Sequence, residues 1–198
     1  SPHDRRLRSW LGGRLVLSRP WYQLDAILTQ GRAKGLTWHF ADPGQPFRPA
    51  DAAILHVDQS VIPQDYLDLA AAYPLTVNGK VRDIRKQRVS RNLVAQESDW
   101  QGPVLVKSDL NSRGGPELLQ ARRAAQRSGQ RLPPVQPPDY VLYDHKDQVP
   151  DPVWTDPAVV VERYLPEKRG PHNVLRVWSF LGDYERCTWY SSPETIVK

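Results

Sequence analysis

A chain of 198 residues with 39% hydrophobic and 25% charged residues is long enough for one ordinary domain or two small ones with a real core. No apolar run approaches the ~20 residues needed to cross a bilayer, and the arginine-rich start has no apolar segment of the secretory kind, so the expected location is the cytoplasm. A formal charge of +5 favours an anionic partner, whether nucleic acid, nucleotide or acidic substrate. The single cysteine, Cys187, excludes an internal disulfide and any multi-cysteine zinc site, and none of the five scattered histidines is paired at ligand spacing.

The first part alternates short apolar runs with helix-like stretches, the pattern of a largely parallel α/β layer. RLVLS (14–18) reads as a buried strand. A helix follows, opened by Pro20, with Leu24, Ile27 and Leu28 on one face and Gly35 at its end. Strands are expected at LTWHFA (36–41), AAILHVD (52–58) and LTVNGK (75–80), the last ending in an Asn-Gly turn. Between the last two, Pro63 leads into a helix with a stripe of Tyr66, Leu67, Ala70 and Ala71. Residues 1–84 therefore read as a small Rossmann-like domain, but no Gly-x-Gly-x-x-Gly implies a dinucleotide.

KVRDIRKQRVSRN (80–92) carries six basic residues and one acidic, and its pattern predicts a helix burying Ile84, Val89 and Leu93. Val104–Val106 make a strand too uniformly apolar for one exposed face. PELLQARRAAQRSG (116–129) is a helix with Pro116 in its first turn and Gly129 at its end, and the proline-rich RLPPVQPPD after it is a loop. The final third reads as antiparallel sheet: YVLYD and AVVVERYL as strands, then a long hairpin turning at Gly182-Asp183. Alternation places Cys187 in this hairpin as a packing residue rather than a nucleophile.

Three stretches have chemistry in them. Lys107, at the end of a buried strand, precedes a loop in which Gly114 and Gly115 let backbone N–H groups approach phosphate oxygens, although Gly-Lys-Ser/Thr is absent and Pro116 has no N–H. Read alone, a plain turn is the simpler account. VVVERYLPE (159–167) ends an apolar strand in groups suited to sandwiching a base, or simply in a surface ion pair. Arg176, inside a half-buried strand, awaits a phosphate or a carboxylate equally well.

Taken in order, PVLVKSDLNSRGGPE, VVVERYLPE and LRVWSFLGD, with the lead-in AAILHVDQSVIPQDYLDLAAAYPLTVNGKVRDIRKQRVSRNLV, resemble the ATP-grasp superfamily in its compact bacterial branch of largely uncharacterised proteins. The likeness spans roughly residues 50–198. It implies an α/β (α+β overall) chain: the Rossmann-like domain, then an ATP-grasp domain (85–198) with α+β lobes at 85–139 and 140–198, the second stopping short. By the resemblance, Lys86 and Lys107 reach the nucleotide phosphates, and Asn111, Ser112, Arg113, Gly114 and Gly115 form the mobile loop over them. Glu162, Arg163, Tyr164 and Leu165 would be the adenine hinge, with Glu162 near the exocyclic amine and the Leu165 N–H on the ring. Glu167 would meet the ribose hydroxyls, Arg176 the phosphate or acyl phosphate in the catalytic role, and Lys198 a similar contact. The implied cofactors are ATP and Mg2+, with metal ligands expected beyond Lys198.

The resemblance thus implies an ATP-dependent carboxylate–amine (or thiol) ligase acting on a small-molecule or peptide carboxylate. The alternatives are a nucleotide-binding protein without catalytic equipment and, ranked third, a nucleic-acid-binding module using basic surfaces at 5–19, 80–91 and 122–131. Those surfaces have few interleaved aromatics for stacking and no recognised nucleic-acid motif.

Overall fold

The computed structural model describes residues 7–11, 14–18, 23–130, 139–181 and 183–197. They form a mixture of helices and small sheets, gathered by contact into two units, residues 1–51 and 52–198. Among the described residues no helix is long and apolar enough to cross a membrane.

In the first unit, strands β1 (Leu7–Leu11) and β2 (Arg14–Ser18) pair antiparallel, with Leu11 opposite Arg14. RLVLS is therefore a strand, but its partner is the segment just before it, and among the described residues no parallel neighbour is hydrogen-bonded to it. Helix α1 (Gln23–Ala33) buries Leu28 and ends where Gly35 takes φ +82°, a left-handed conformation that suits a residue without Cβ. The expected opening at Pro20 lies outside the described residues. The strand expected at 36–41 does not form. Trp38 instead lies back on α1, where a Cβ on Gly31 would stand 2.5 Å from its ring, and Leu36 and Phe40 stay exposed. A strand needs a partner and a buried face, and this segment has neither.

The second unit opens with a compact β-α-β arrangement. Strands β3 (Ala53–Ile54) and β4 (Thr76–Val77) pair parallel, joined through helix α2 (Gln64–Ala71). Alpha-2 buries Leu67 and Ala70 but leaves Ala71 exposed, so the inward stripe is narrower than the periodicity suggested. Asn78 at φ 63° and Gly79 make the turn after β4. The strand expected over 52–58 is short because the chain soon turns toward residues 82–84.

Residues 80–92 contradict the expected helix. Helical structure is confined to one turn, α3 (Lys86–Val89), and Val89 and Leu93 are exposed. The backbone before it bonds across the molecule instead: Ile62 N–H donates to the Arg82 carbonyl at 2.9 Å and Ile84 N–H to the Ser60 carbonyl at 2.8 Å. Asp83 fixes the bend by accepting from the Arg85 backbone N–H at 3.0 Å and from its guanidinium at 2.7 Å. Those bonds satisfy the backbone groups that a helix would have used.

The central sheet has the order β6-β5-β7, all antiparallel: β6 (Val141–Tyr143), β5 (Val104–Ser108) and β7 (Val159–Arg163). It joins residues on both sides of the expected 139/140 lobe division. Side chains alternate across β5, and Val104, Val106 and Val161 meet Val94 and Val149 in the core, with Trp100, Tyr143 and Trp154 around them. Val104 is wholly buried, and each such valine contributes roughly 1.5–3 kcal/mol through the apolar surface it removes from water. Helix α4 (Gly115–Arg127) follows β5, with Pro116 in its first turn. Helix α5 (Asp151–Thr155) precedes β7. A second sheet of order β10-β9-β8 is built from β8 (Glu167–Arg169), β9 (His172–Leu181) and β10 (Tyr184–Ser192), with Leu181 opposite Tyr184 at the hairpin end.

Candidate functional site

Alternation along β5 puts Leu105 and Lys107 on the face away from the valine core. Antiparallel pairing with β7, Leu105 opposite Glu162 and Lys107 opposite Val160, brings Glu162 to the same face. The Lys107 ammonium and the Glu162 carboxylate form an ion pair in which both side chains are largely buried. Glu162 is thus committed to a cation within the protein, an arrangement the sequence pattern did not disclose.

Lys86 joins them from the start of α3. Its backbone N–H donates to the Asp109 carbonyl at 3.0 Å, and its ammonium donates to the carbonyls of Asp109 and Leu110. Burial, and secondarily the neighbouring charge of Lys107, holds the Lys86 pKa below the ordinary lysine value, with Glu162, Asp109 and Glu117 opposing. Two cations and a buried carboxylate therefore converge on one side of the central sheet. Asp109, itself buried, accepts from the Gln87 backbone N–H and side-chain amide at 2.8 Å each, tying the end of β5 to α3.

Beyond Asp109 the chain makes a tight left-handed turn. Ser112 (φ 46°, ψ 37°), Arg113 (φ 60°, ψ 21°) and Gly114 (φ 75°, ψ 14°) are successive left-handed residues, the first two of them carrying a Cβ. The sequence placed this freedom in Gly114 and Gly115. Gly115 is in fact ordinary helix at φ −57°, and a Cβ there would touch nothing within 4 Å. Gly114 is constrained twice, by its φ and by Leu110 Cδ1, which a Cβ would approach to 3.0 Å. Asn111 and Ser112 are exposed, and Arg113 donates to Asp139 at 3.1 Å.

After β7 the chain opens onto a depression of about 710 Å³, lined by residues that include Trp100, Pro103, Tyr164, Leu165, Glu167 and Arg176. The Arg163 N–H donates to the Asn92 carbonyl at 2.8 Å and the Tyr164 N–H to the Pro103 carbonyl at 2.9 Å. The Leu165 N–H has no hydrogen-bond partner among the described residues, and its side chain is exposed. The Arg163 guanidinium stands 5.1 Å from the Trp100 ring centroid, and the Tyr164 hydroxyl donates to the Thr195 carbonyl. Burial raises the Tyr164 pKa.

Arg176 grips Glu167 in a fork, Nε to Oε2 and Nη2 to Oε1 at 2.6 Å each. This bond lowers the Glu167 pKa and raises that of Arg176. Arg176 also lies over the Trp189 ring at 4.6 Å, with Arg169 at 3.8 Å from the same ring.

The structure therefore gathers the sequence-derived residues into two groups. Lys86, Lys107 and Glu162 stand together on one side of the central sheet, while Tyr164, Leu165, Glu167 and Arg176 line the depression that begins two residues beyond Glu162. Asn111–Gly114 form the turn between β5 and α4, Gly115 is the first residue of α4, and Lys198 lies outside the described residues. Asp109, Gln87 and Trp100 were not singled out from the sequence. An acid after a strand, a polar residue in a basic run and a lone tryptophan announce no role until the chain brings them to the site.

A planar heterocycle with a polyphosphate fits these parts in kind: an aromatic and apolar recess, a backbone N–H at its edge without a partner among the described residues, and two lysines beyond it. Among the described residues no three His, Cys, Asp or Glu side chains stand close enough to hold a metal ion. Compared with protein-family models, curated proteins and solved structures, the chain matches none.

Proposed function

We propose that this chain is an ATP-binding protein of ATP-grasp type, and that it serves an ATP-dependent ligase reaction joining a carboxylate to an amine or thiol. The observation that supports the reading best is the convergence of Lys86 and Lys107 beside Glu162, where β7 leads into the recess of Trp100, Tyr164 and Leu165. The architecture belonging to it is a Rossmann-like start followed by a two-lobed nucleotide-binding domain, in the compartment where ATP is abundant.

In such a reaction ATP, brought with Mg2+, phosphorylates a carboxylate, and the amine or thiol then displaces phosphate from the acyl phosphate. The protein's share is placement and charge. Trp100, Pro103 and Leu165 supply apolar contact to the base, and the Leu165 N–H supplies a directional donor. Lys107 turns its ammonium from Glu162 toward phosphate, and Lys86 reinforces it from the base of the loop. Arg176 exchanges the Glu167 carboxylate for a developing phosphate charge, leaving Glu167 to accept from sugar hydroxyls. No side-chain nucleophile is needed.

Mg-ATP should raise the thermal unfolding temperature of the intact protein and raise it much less in Lys107→Ala. Equal protection of both proteins would remove Lys107 from the site, and no protection of either would remove the nucleotide reading. For the ligase step, ADP release should depend on adding both a carboxylate and an amine or thiol.

A further inference from the structure

Ser60 lies in the lead-in stretch but carries none of the roles assigned above, yet it is 1% exposed and bonded through all three of its polar groups. Its carbonyl accepts from the Ile84 N–H at 2.8 Å. Its hydroxyl accepts from the Asn111 N–H at 2.7 Å, at the entrance to the glycine turn. Its own N–H donates to Glu117 Oε1 at 2.7 Å, in the first turn of α4 and therefore at the exit. One residue thus holds both ends of the turn. Gln59 adds a bond from its amide to the Gln120 side chain one helical turn further on, and Asp109 is separately fixed by Gln87.

Between the two attachments lie residues 112–116, including the three successive left-handed residues. Left-handed conformations are costly for Ser112 and Arg113 and persist only where the surroundings over-determine them. The chain itself does not favour this turn, so the attachments at Asn111 and Glu117 must impose it. We propose that Ser60 is a positioning residue that fastens the glycine turn at both ends, making residues 112–116 a strap held in its left-handed conformation by those two bonds. That the strap covers phosphates rests on the nucleotide reading above; the fastening does not.

The test is tryptic cleavage after Arg113 in the folded, full chain, with cleavage after Arg169 as an internal reference, since Arg169 is exposed in the other sheet. Cleavage of a locally opened segment follows the population of its open form. Ser60→Ala removes the Asn111 attachment and Glu117→Ala the other. Each should accelerate cleavage after Arg113 about tenfold, as expected for one lost hydrogen bond, and leave Arg169 unchanged. Glu117, only partly buried, decides the matter if Ser60→Ala does not fold. Unchanged cleavage after Arg113, or parallel acceleration at both sites, overturns the proposal. Mg-ATP should slow cleavage after Arg113 in the unaltered protein. If it does not while the two variants still show selective acceleration, the strap stands and the nucleotide reading falls.

Discussion

Lys86 is the residue whose titration reports most directly on the site. Its ammonium is partly withdrawn from water and faces a second ammonium, and both effects favour the neutral amine. The unfolded chain therefore holds this proton to higher pH than the folded one. The contribution of Lys86 to stability is lowest below its folded pKa and grows as pH rises toward the unfolded value of 10.5. Because Lys107 lowers this pKa and Glu162 raises it, two substitutions should move it in opposite directions. In a carbon-13 NMR titration of reductively methylated lysines, Lys107→Met should raise the Lys86 pKa and Glu162→Gln should lower it. No movement in either variant would mean that the three groups do not share one environment.

At the scale of elements, the Lys107–Glu162 pair ties β5 to β7 on the face opposite the valines. Removing one partner leaves a largely buried charge alone, whereas removing both leaves only space to fill. Glu162→Ala should therefore cost about 3 kcal/mol in urea unfolding, and Lys107→Met with Glu162→Leu should cost clearly less than that. A double variant no more stable than Glu162→Ala would show that packing, rather than charge, dominates there.

The sequence made the strands themselves legible, because Val104–Val106 and Val159–Val161 are short apolar runs bounded by turn signals. Helix α4 was legible through Pro116 and Gly129, and the final hairpin through its alternation, while Gly182 of the expected turn lies outside the described residues. The diagonal pairing of Lys107 with Glu162 was not, since it depends on the register between strands more than fifty residues apart. The basic run at 80–92 misled for a related reason. Its periodicity suits a helix, but Asp83 and the backbone of residues 60–62 offer competing partners that no local pattern encodes.

Across the whole molecule, net charge alone does not say where an anion would bind. Several arginines that contribute to the +5 are engaged internally: Arg85 with Asp83, Arg113 with Asp139 and Arg176 with Glu167. The basic surface at 80–91 is correspondingly weakened as a nucleic-acid footprint, because Arg85 and Arg88 already face the Asp83 carboxylate. The more unusual surface is apolar. Trp178 and Phe180 follow Arg176 at every second residue along β9, so they emerge on the same side of the second sheet as Arg176, and they are 56% and 80% exposed. Two exposed aromatic rings with one residue between them, on the same face, make a local apolar patch, unlike scattered single residues. Such a patch should bind the dye ANS in the native state, and replacing both residues by serine should reduce that fluorescence by about half or more while leaving the thermal midpoint nearly unchanged. A fall in the midpoint accompanied by brighter ANS fluorescence would instead show that the two rings support the sheet, because their loss would then expose further apolar surface.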